Sequence, residues 1–335
     1  MSDVAFLYNT PHPAHRVFAE AVGADFHPLV PDDETAGGGW RRLTQYVRGA
    51  LTYPSGYDYY LVEGGRGLVP GFLYSLRNRD ATVLLLNADE TFLNLELGLE
   101  HYRAAETLAH RVSLRAVDGV LNVGEMVATY ARRAGVTVPS EIVYPPVADG
   151  VYEDLLAAEP AIGSQRIVSV GENKPAVGFD VLVDAVARLR ADGSQVELHL
   201  AGENHEAAWG ERDGVTVHGW VEDLSSFLAS GDLSVHPGRS ECFPVSTLEP
   251  MVAGCPCIVS EYVGTKEVIR PIDDYLVIEE PRVEETAKAI HWYFERPRAE
   301  RERLSREARA AARQFSEAEC AAGFVDAYER LTARV

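Results

Sequence analysis

Residues 238–260 read GRSECFPVSTLEPMVAGCPCIVS, and the organisation of the whole chain follows from them. Two glutamates, Glu241 and Glu249, stand in this stretch with seven residues between them. The apolar run 233–237 predicts a buried strand that ends in a loop, and residues 247–252 predict the first turns of a helix. Gly254 ends that helix, and residues 257–259 begin the next strand. One glutamate therefore precedes the helix and the other lies inside it.

This arrangement has the chemistry of an anion-binding site. The first N–H groups of a helix have no acceptor inside the helix, so they attract phosphate. Ligands of parallel sheets bind at the carboxyl ends of the strands, where both glutamates are expected. Because 51 of the 335 residues are Asp or Glu, the spacing of the pair alone is weak evidence. The strand and helix context carries the prediction.

The rest of the chain alternates strand and helix patterns. Strands are predicted at residues 4–8, 57–62, 81–86, 166–171, 196–201, 215–218 and 257–259. Such alternation predicts an α/β fold with parallel sheets. A chain of 335 residues is too long for one typical core and suits two domains of about 150 residues each. The acidic segment 148–163 is predicted to be the linker between them.

The series from strand 233–237 through Glu241 and Glu249 to residues 264–269, GTKEVI, closely resembles the nucleotide-sugar signature of family-four glycosyltransferases. The resemblance is specific over residues 166–269 and weak before residue 118. It implies the GT-B fold, in which two Rossmann-like doubly wound domains face each other across a cleft and the C-terminal helix crosses back to the first domain. It also implies an acceptor-side domain, residues 1–150 plus 316–335, and a nucleotide-sugar-binding domain, residues 151–315.

The resemblance assigns roles on the donor side. It implies that Glu249 binds the ribose hydroxyls, because one carboxylate can accept both hydrogen bonds. It implies that Glu241 is a catalytic residue that holds the hydroxyls of the donor sugar without acting as a nucleophile. Backbone N–H groups at the helix start would bind the phosphates. The predicted donor-binding set also contains Gly171, Phe243, Pro244, Val245, Ser246, Thr247 and Leu248.

Two cations that family members commonly carry are missing from this sequence. The places of the family's Arg and Lys, which stabilise the departing diphosphate, hold Glu172 and Val177. Lys174 in the same loop and Arg239 beside the signature are the candidates to supply the charge. A surface role for Lys174 is an equally good interpretation. Without such charge, stabilisation of the leaving group would lose several kcal/mol.

Acceptor-side residues are predicted in the N-terminal half. His12 follows the first strand, and Glu63, Gly64 and Gly65 follow a later one. The glycines would let backbone approach a ligand closely, or they form a plain turn. Asn87 stands where many family members have a histidine that contacts the donor sugar, so it is predicted as a catalytic-site residue. An amide can bond a hydroxyl but cannot exchange protons near neutral pH.

Composition narrows the function classes. The net charge of −20 argues against nucleic acid, because phosphate backbones need Lys and Arg to neutralise them. The acidic, lysine-poor composition suggests adaptation to high salt. The four cysteines have no zinc spacing, so no metal or other cofactor is expected, and reduced thiols predict a cytoplasmic protein. The basic segment 40–48 either touches anionic lipid headgroups at the inner face of a membrane or is a solvated helix face.

The leading hypothesis is a retaining hexosyltransferase that moves a sugar from a nucleotide-diphosphate sugar to an unidentified glycan, lipid-linked or small-molecule acceptor. A second hypothesis is a glycosyltransferase-like binding or partner protein that has lost turnover, which the missing cations motivate. A third is a nucleotide-sugar epimerase of the same fold, with Glu63 and Asp89 as the best loop carboxylates.

Overall fold

The computed structural model describes residues 3–8, 12–28, 44, 47–48, 51, 55–89, 91–92, 108 and 111–335. Most of the basic segment 40–48 and the tip of the first loop, residues 9–11, lie outside the described residues. The chain forms two compact units, unit 1 with residues 1–145 and 318–335, and unit 2 with residues 146–317.

Unit 1 is built on a parallel sheet whose described strands have the order β2-β1-β3-β4-β5-β6. Its elements are β1 (Val4–Tyr8), α1 (Pro13–Ala21), β2 (Asp25–Pro28), β3 (Tyr59–Glu63), α2 (Gly64–Arg77), β4 (Thr82–Asn87), a 3-10 turn (Leu114–Ala116), β5 (Gly119–Val123), α3 (Glu125–Arg133) and β6 (Ser140–Val143). The strand order reverses between β1 and β3. That reversal creates the crevice in which doubly wound sheets bind ligands.

Unit 2 repeats the α/β pattern. Its elements are α4 (Asp149–Ala157), β7 (Arg166–Val170), α5 (Phe179–Ala191), β8 (Glu197–Ala201), α6 (Glu206–Trp209), β9 (Val215–Gly219), α7 (Leu224–Ala229), β10 (Ser234–His236), α8 (Val245–Val252), β11 (Cys257–Ser260), α9 (Lys266–Ile269), a 3-10 turn (Asp274–Leu276), β12 (Val277–Ile278), α10 (Val283–Phe294), α11 (Arg298–Ala312) and a 3-10 turn (Arg313–Phe315).

The sheet of unit 2 has two parallel halves, β9-β8-β7 and β10-β11-β12. A parallel bridge between Ile167 and Leu233 joins them. The Ser169 hydroxyl also donates to the Val235 carbonyl at 2.8 Å. The carboxyl ends of β7, β8 and β10 therefore lie along one edge.

The last helix, α12 (Glu317–Thr332), packs on unit 1. Its Phe324 ring stacks on Phe18 of α1, with centroids 4.4 Å apart. Leu331 covers Gly119, where an added Cβ would lie 2.9 Å from a leucine methyl carbon. The C-terminal helix therefore returns to the first domain, as the sequence analysis expected.

Two predicted loops are helical. The segment 148–163 is not a plain linker, because α4 forms over Asp149–Ala157 and buries Tyr152 and Leu155. The glycine-rich segment 63–67 is not an open loop either, since α2 begins at Gly64. Glycine has a low helix propensity, which favours a loop. The apolar residues that follow these glycines in the sequence pack in the core and stabilise the helix.

Candidate functional site

The main chain fixes the position of Glu241. The Glu241 N–H donates to the Tyr262 carbonyl at 3.0 Å, and the Gly264 N–H donates to the Glu241 carbonyl at 2.9 Å. Gly264 cannot carry a side chain, because a Cβ there would collide with the Cys242 carbonyl oxygen. The Glu241 side chain remains 19% exposed. The loop after β10 thus holds a solvent-reachable carboxylate on a rigid backbone.

Helix α8 carries the second glutamate. Thr247 ties its first turn down, because its hydroxyl donates to the Pro244 carbonyl at 2.8 Å and shares a 2.7 Å hydrogen bond with the Thr265 hydroxyl. Leu248 and Met251 are fully buried and turn the apolar side of the helix into the core. Glu249 lies on the partly exposed side.

The environment of the Glu249 carboxylate favours binding of hydrogen-bond donors from a ligand. Among the described residues it has no hydrogen-bond or ion-pair partner, and burial raises its pKa to about 7 from an ordinary 4.5. Desolvation disfavours the ionised form, and hydrogen bonds from a bound ligand would favour it again. A pair of hydroxyl donors is the kind of ligand that such a carboxylate binds.

The loop after β7 is built of closely packed backbone. Gly171 has φ +150° and donates its N–H to the Ala201 carbonyl at 3.0 Å. A Cβ at Gly202 would collide with the Gly171 carbonyl, and a Cβ at Gly178 would collide with the Pro237 carbonyl. Glycine is required because the loops after β7, β8 and β10 touch through their main chains.

Both predicted phosphate cations are already paired. Lys174 forms an ion pair with Glu172 at 2.6 Å. Arg239 donates through both terminal nitrogens to Asp180, at 2.8 and 2.6 Å, and to the Pro175 carbonyl at 2.7 Å. This pairing holds the pKa of the Asp180 carboxyl below its usual value. In this structure the Arg239 side chain fastens the loop after β10 to the start of α5, and the supply of its charge to the phosphate stays a prediction.

The predicted donor-binding residues beside the helix differ in what they expose. The Phe243 ring packs on Phe315 with centroids 5.8 Å apart, and the Leu248 side chain is buried. Pro244, Val245 and Ser246 are partly exposed. The side chains of Phe243 and Leu248 therefore pack in the core, and the predicted contact of these two residues with the donor through their backbone stays a prediction.

The acceptor-side residues meet at the carboxyl edge of unit 1. The His12 ring caps α1 by accepting from the Ala14 N–H at 3.2 Å, and it lies 5.4 Å from the His15 ring. His15 Nδ1 lies 3.5 Å from the Glu63 carboxylate. Gly64 has φ +67° and leaves no room for a Cβ beside Asp89. His12, Glu63 and Gly64 thus come together at the reversal between β1 and β3.

Asn87 is not open to a ligand in this structure. It is fully buried at the end of β4, where its amide donates to the Asn122 side-chain oxygen at 2.9 Å. The two asparagines are register partners on neighbouring strands. Burial encloses the Asn87 amide in this structure, and its contact with the donor sugar stays a prediction. Gly65 is likewise the second residue of α2 and not part of a loop.

Sequence reasoning missed two histidines beside these sites. His236 ends β10 and lies 3.8 Å from the Glu241 carboxylate. His15 places its Nδ1 3.5 Å from the Glu63 carboxylate. A histidine that directly follows a buried apolar strand was the available signal for His236. The contact of His15 with Glu63 joins α1 to the end of β3, which a long connection separates, so no local pattern predicts it.

No group of three or more metal-ligating side chains occurs within the described parts of the chain. In the same parts, no helix combines the length and the hydropathy that a bilayer crossing needs.

Residues 164–296 match the family model described as "Glycosyl transferases group 1". The chain is 31% identical over 134 residues to a GDP-mannose-dependent alpha-(1-6)-phosphatidylinositol dimannoside mannosyltransferase of Mycobacterium tuberculosis, which covers 38% of this chain and 35% of the relative. It is 30% identical over 182 residues to an MMP alpha-(1->4)-mannosyltransferase of Mycolicibacterium hassiacum, covering 51% of this chain and 44% of that protein. The chain thus spans less than half the length of these relatives.

Two solved structures superimpose on at least 99% of this chain. Sucrose-phosphate synthase from Thermosynechococcus elongatus superimposes with a TM-score of 0.76 at 16% identity, covering 100% of both chains. HepE from Anabaena, in complex with UDP and glucose, superimposes with a TM-score of 0.73 at 16% identity, covering 99% of this chain and 100% of HepE. The fold is therefore GT-B, with two Rossmann-like domains. Residues 164–296 are thus similar to group 1 glycosyl transferases.

Proposed function

We propose that this protein is a retaining glycosyltransferase that moves a hexose from a nucleotide-diphosphate sugar to an unidentified glycan or lipid-linked glycan. The observation that carries the proposal is the carboxylate pair around the start of α8. Glu241 is held by main-chain hydrogen bonds in the loop before the helix, and Glu249 presents a carboxylate of raised pKa without a partner among the described residues. The family match over residues 164–296 includes both glutamates.

Each part of the donor would meet one group of residues. Glu249 accepts hydrogen bonds from the ribose hydroxyls, and the ligand lowers its pKa as those bonds form. The first N–H groups of α8, at Val245 and Ser246, point toward the diphosphate because no acceptor inside the helix can reach them. Glu241 accepts from the sugar hydroxyls and orients the ring while positive charge develops at the anomeric carbon.

Binding experiments identify the nucleobase of the sugar donor. The names of the two curated mannosyltransferases make GDP-mannose the first donor to try, and the HepE complexes make UDP-glucose the second. We expect GDP or UDP to bind saturably in calorimetry. Glu249→Ala should abolish that binding, whereas Glu302→Ala, on the exposed side of α11, should leave it unchanged. Failure of GDP, UDP and ADP alike to bind would refute the proposal.

A second candidate function is binding without turnover. It is favoured by the missing cations, because Lys174 and Arg239 are already neutralised by Glu172 and Asp180. Nucleotide-sugar cleavage and transfer assays separate the two candidates. A protein that binds the nucleotide sugar but neither transfers nor hydrolyses its sugar with any acceptor tested would be the binding protein.

A further inference from the structure

His236 is a buried histidine that the proposed chemistry does not yet use. Only 3% of the residue is exposed, and its Nε2 has no hydrogen-bond partner within the described residues. A polar nitrogen that is buried without a partner is costly, so such groups need an explanation. The nearest charged group recorded for Nε2 is the Glu241 carboxylate, at 3.8 Å.

The fold keeps the space between these two side chains clear. Gly238 lies between them, and a Cβ there would come within 3.3 Å of the His236 ring and 3.2 Å of Glu241 Cγ. It would also lie 2.7 Å from Val263. The Phe179 ring packs edge-on against the imidazole, with centroids 6.3 Å apart. A side chain at position 238 would therefore clash with Val263 and press on both His236 and Glu241.

The charge state of His236 suits a donor. Burial lowers its pKa to about 4, so the ring is neutral near pH 7. A neutral imidazole carries one proton, and a proton on Nε2 points toward the carboxylate. Shortening the 3.8 Å separation by ~1 Å would complete a hydrogen bond between Nε2 and Glu241.

We propose that His236 is a positioning residue that donates from Nε2 to the Glu241 carboxylate when the donor sugar is bound. One carboxylate oxygen then accepts from His236, and the other stays directed at the sugar hydroxyls. The effect is specific to the sugar, because in the proposed function the ribose and the diphosphate are bound by α8 and not by Glu241. This inference rests on the proposed function, since it takes Glu241 to be the group that holds the sugar.

The test compares a nucleotide with its sugar conjugate. Calorimetry compares the affinity for GDP with that for GDP-mannose, or the affinity for UDP with that for UDP-glucose. The pair used is the one that the wild-type protein binds. We expect His236→Phe to leave the Kd of the nucleoside diphosphate within ~2-fold and to weaken the nucleotide sugar ~10-fold, the loss of one charge-assisted hydrogen bond. His236→Gln restores an N–H donor and should recover most of the affinity for the nucleotide sugar.

A double-mutant cycle tests the route through Glu241. If His236 acts through that carboxylate, His236→Phe in a Glu241→Ala background should weaken binding of the nucleotide sugar no further. An equal loss of affinity for both ligands in His236→Phe and His236→Gln would show a packing role and overturn the inference. Wild-type affinity of His236→Phe for the nucleotide sugar would also overturn it. If Glu241→Ala itself has no effect on binding of the nucleotide sugar while Glu249→Ala abolishes it, the proposed role of Glu241 is refuted and the nucleotide site is not. Absence of all nucleotide binding refutes the proposed function and this inference with it.

Discussion

The raised pKa of Glu249 makes nucleotide binding depend on pH. If the ionised carboxylate binds the ribose, affinity should increase as the pH rises through about 7, the pKa of Glu249. At pH 6 only ~10% of the carboxylate is ionised, and at pH 8 ~90% is. The Kd should therefore be ~9-fold weaker at pH 6 than at pH 8. Glu249→Gln should bind weakly at both pH values and show no such slope.

Calorimetry with GDP-mannose or UDP-glucose is the appropriate assay. A free nucleoside diphosphate loses a phosphate proton near pH 6, which would add its own slope, whereas the nucleotide sugar does not. The Glu249→Gln profile serves as the baseline for all other titrations. Equal slopes in the wild-type protein and the variant, or wild-type binding that is independent of pH, would refute the reasoning.

The same pKa predicts a stability effect of known sign. Folding raises the pKa above its ordinary value of 4.5, so ionisation of Glu249 opposes folding. The contribution of Glu249 to the free energy of unfolding is full below pH 4.5 and falls as the pH rises toward about 7. Glu249→Gln should therefore stabilise the protein at pH 8 by ~1–2 kcal/mol, an estimate reduced for the partial exposure of the side chain.

Two substitutions, each with a matched control, test the packing of unit 2, and a third tests the role of Arg239. Gly178→Ala should cost ~2–3 kcal/mol in urea unfolding, because Gly178 has both a positive φ and a backbone oxygen in the way, whereas Gly193→Ala, with a positive φ and open space, should cost ~1 kcal/mol. Arg301→Ala should lower the free energy of unfolding by ~3–5 kcal/mol, because it leaves the fully buried carboxylate of Asp232 without its cation. Arg298→Ala removes only an exposed ion pair with Glu302 and should change the free energy of unfolding by under ~0.5 kcal/mol. Arg239→Ala should change nucleotide affinity by less than ~3-fold; a loss above ~10-fold would show that this guanidinium turns to the phosphate on binding.

Local patterns predicted the donor half of the fold well. Strand, loop, helix and strand around Glu241 and Glu249 follow from apolar periodicity and from the glycine that ends the helix, and each element forms where the pattern places it. The strands of unit 2 at 166–170 and 197–201 follow from the same signal. Periodicity is reliable here because buried parallel strands are short, apolar and bounded by glycine turns.

Long-range pairing explains what the sequence did not reveal. Arg239 looked like an available cation because Asp180 lies 59 residues away in the chain. Asn87 looked exposed because its partner Asn122 belongs to another strand. The meeting of His15 with Glu63 also depends on the strand order, in which β1 and β3 are neighbours. Each of these contacts is set by topology, and no local pattern contains it.

The most direct test of the account is a crystal structure of the protein with GDP or UDP bound. The account predicts the ribose hydroxyl oxygens within ~3.2 Å of the Glu249 carboxylate and the phosphate oxygens against the first N–H groups of α8. A nucleotide bound away from α8, or a ribose turned away from Glu249, would contradict it.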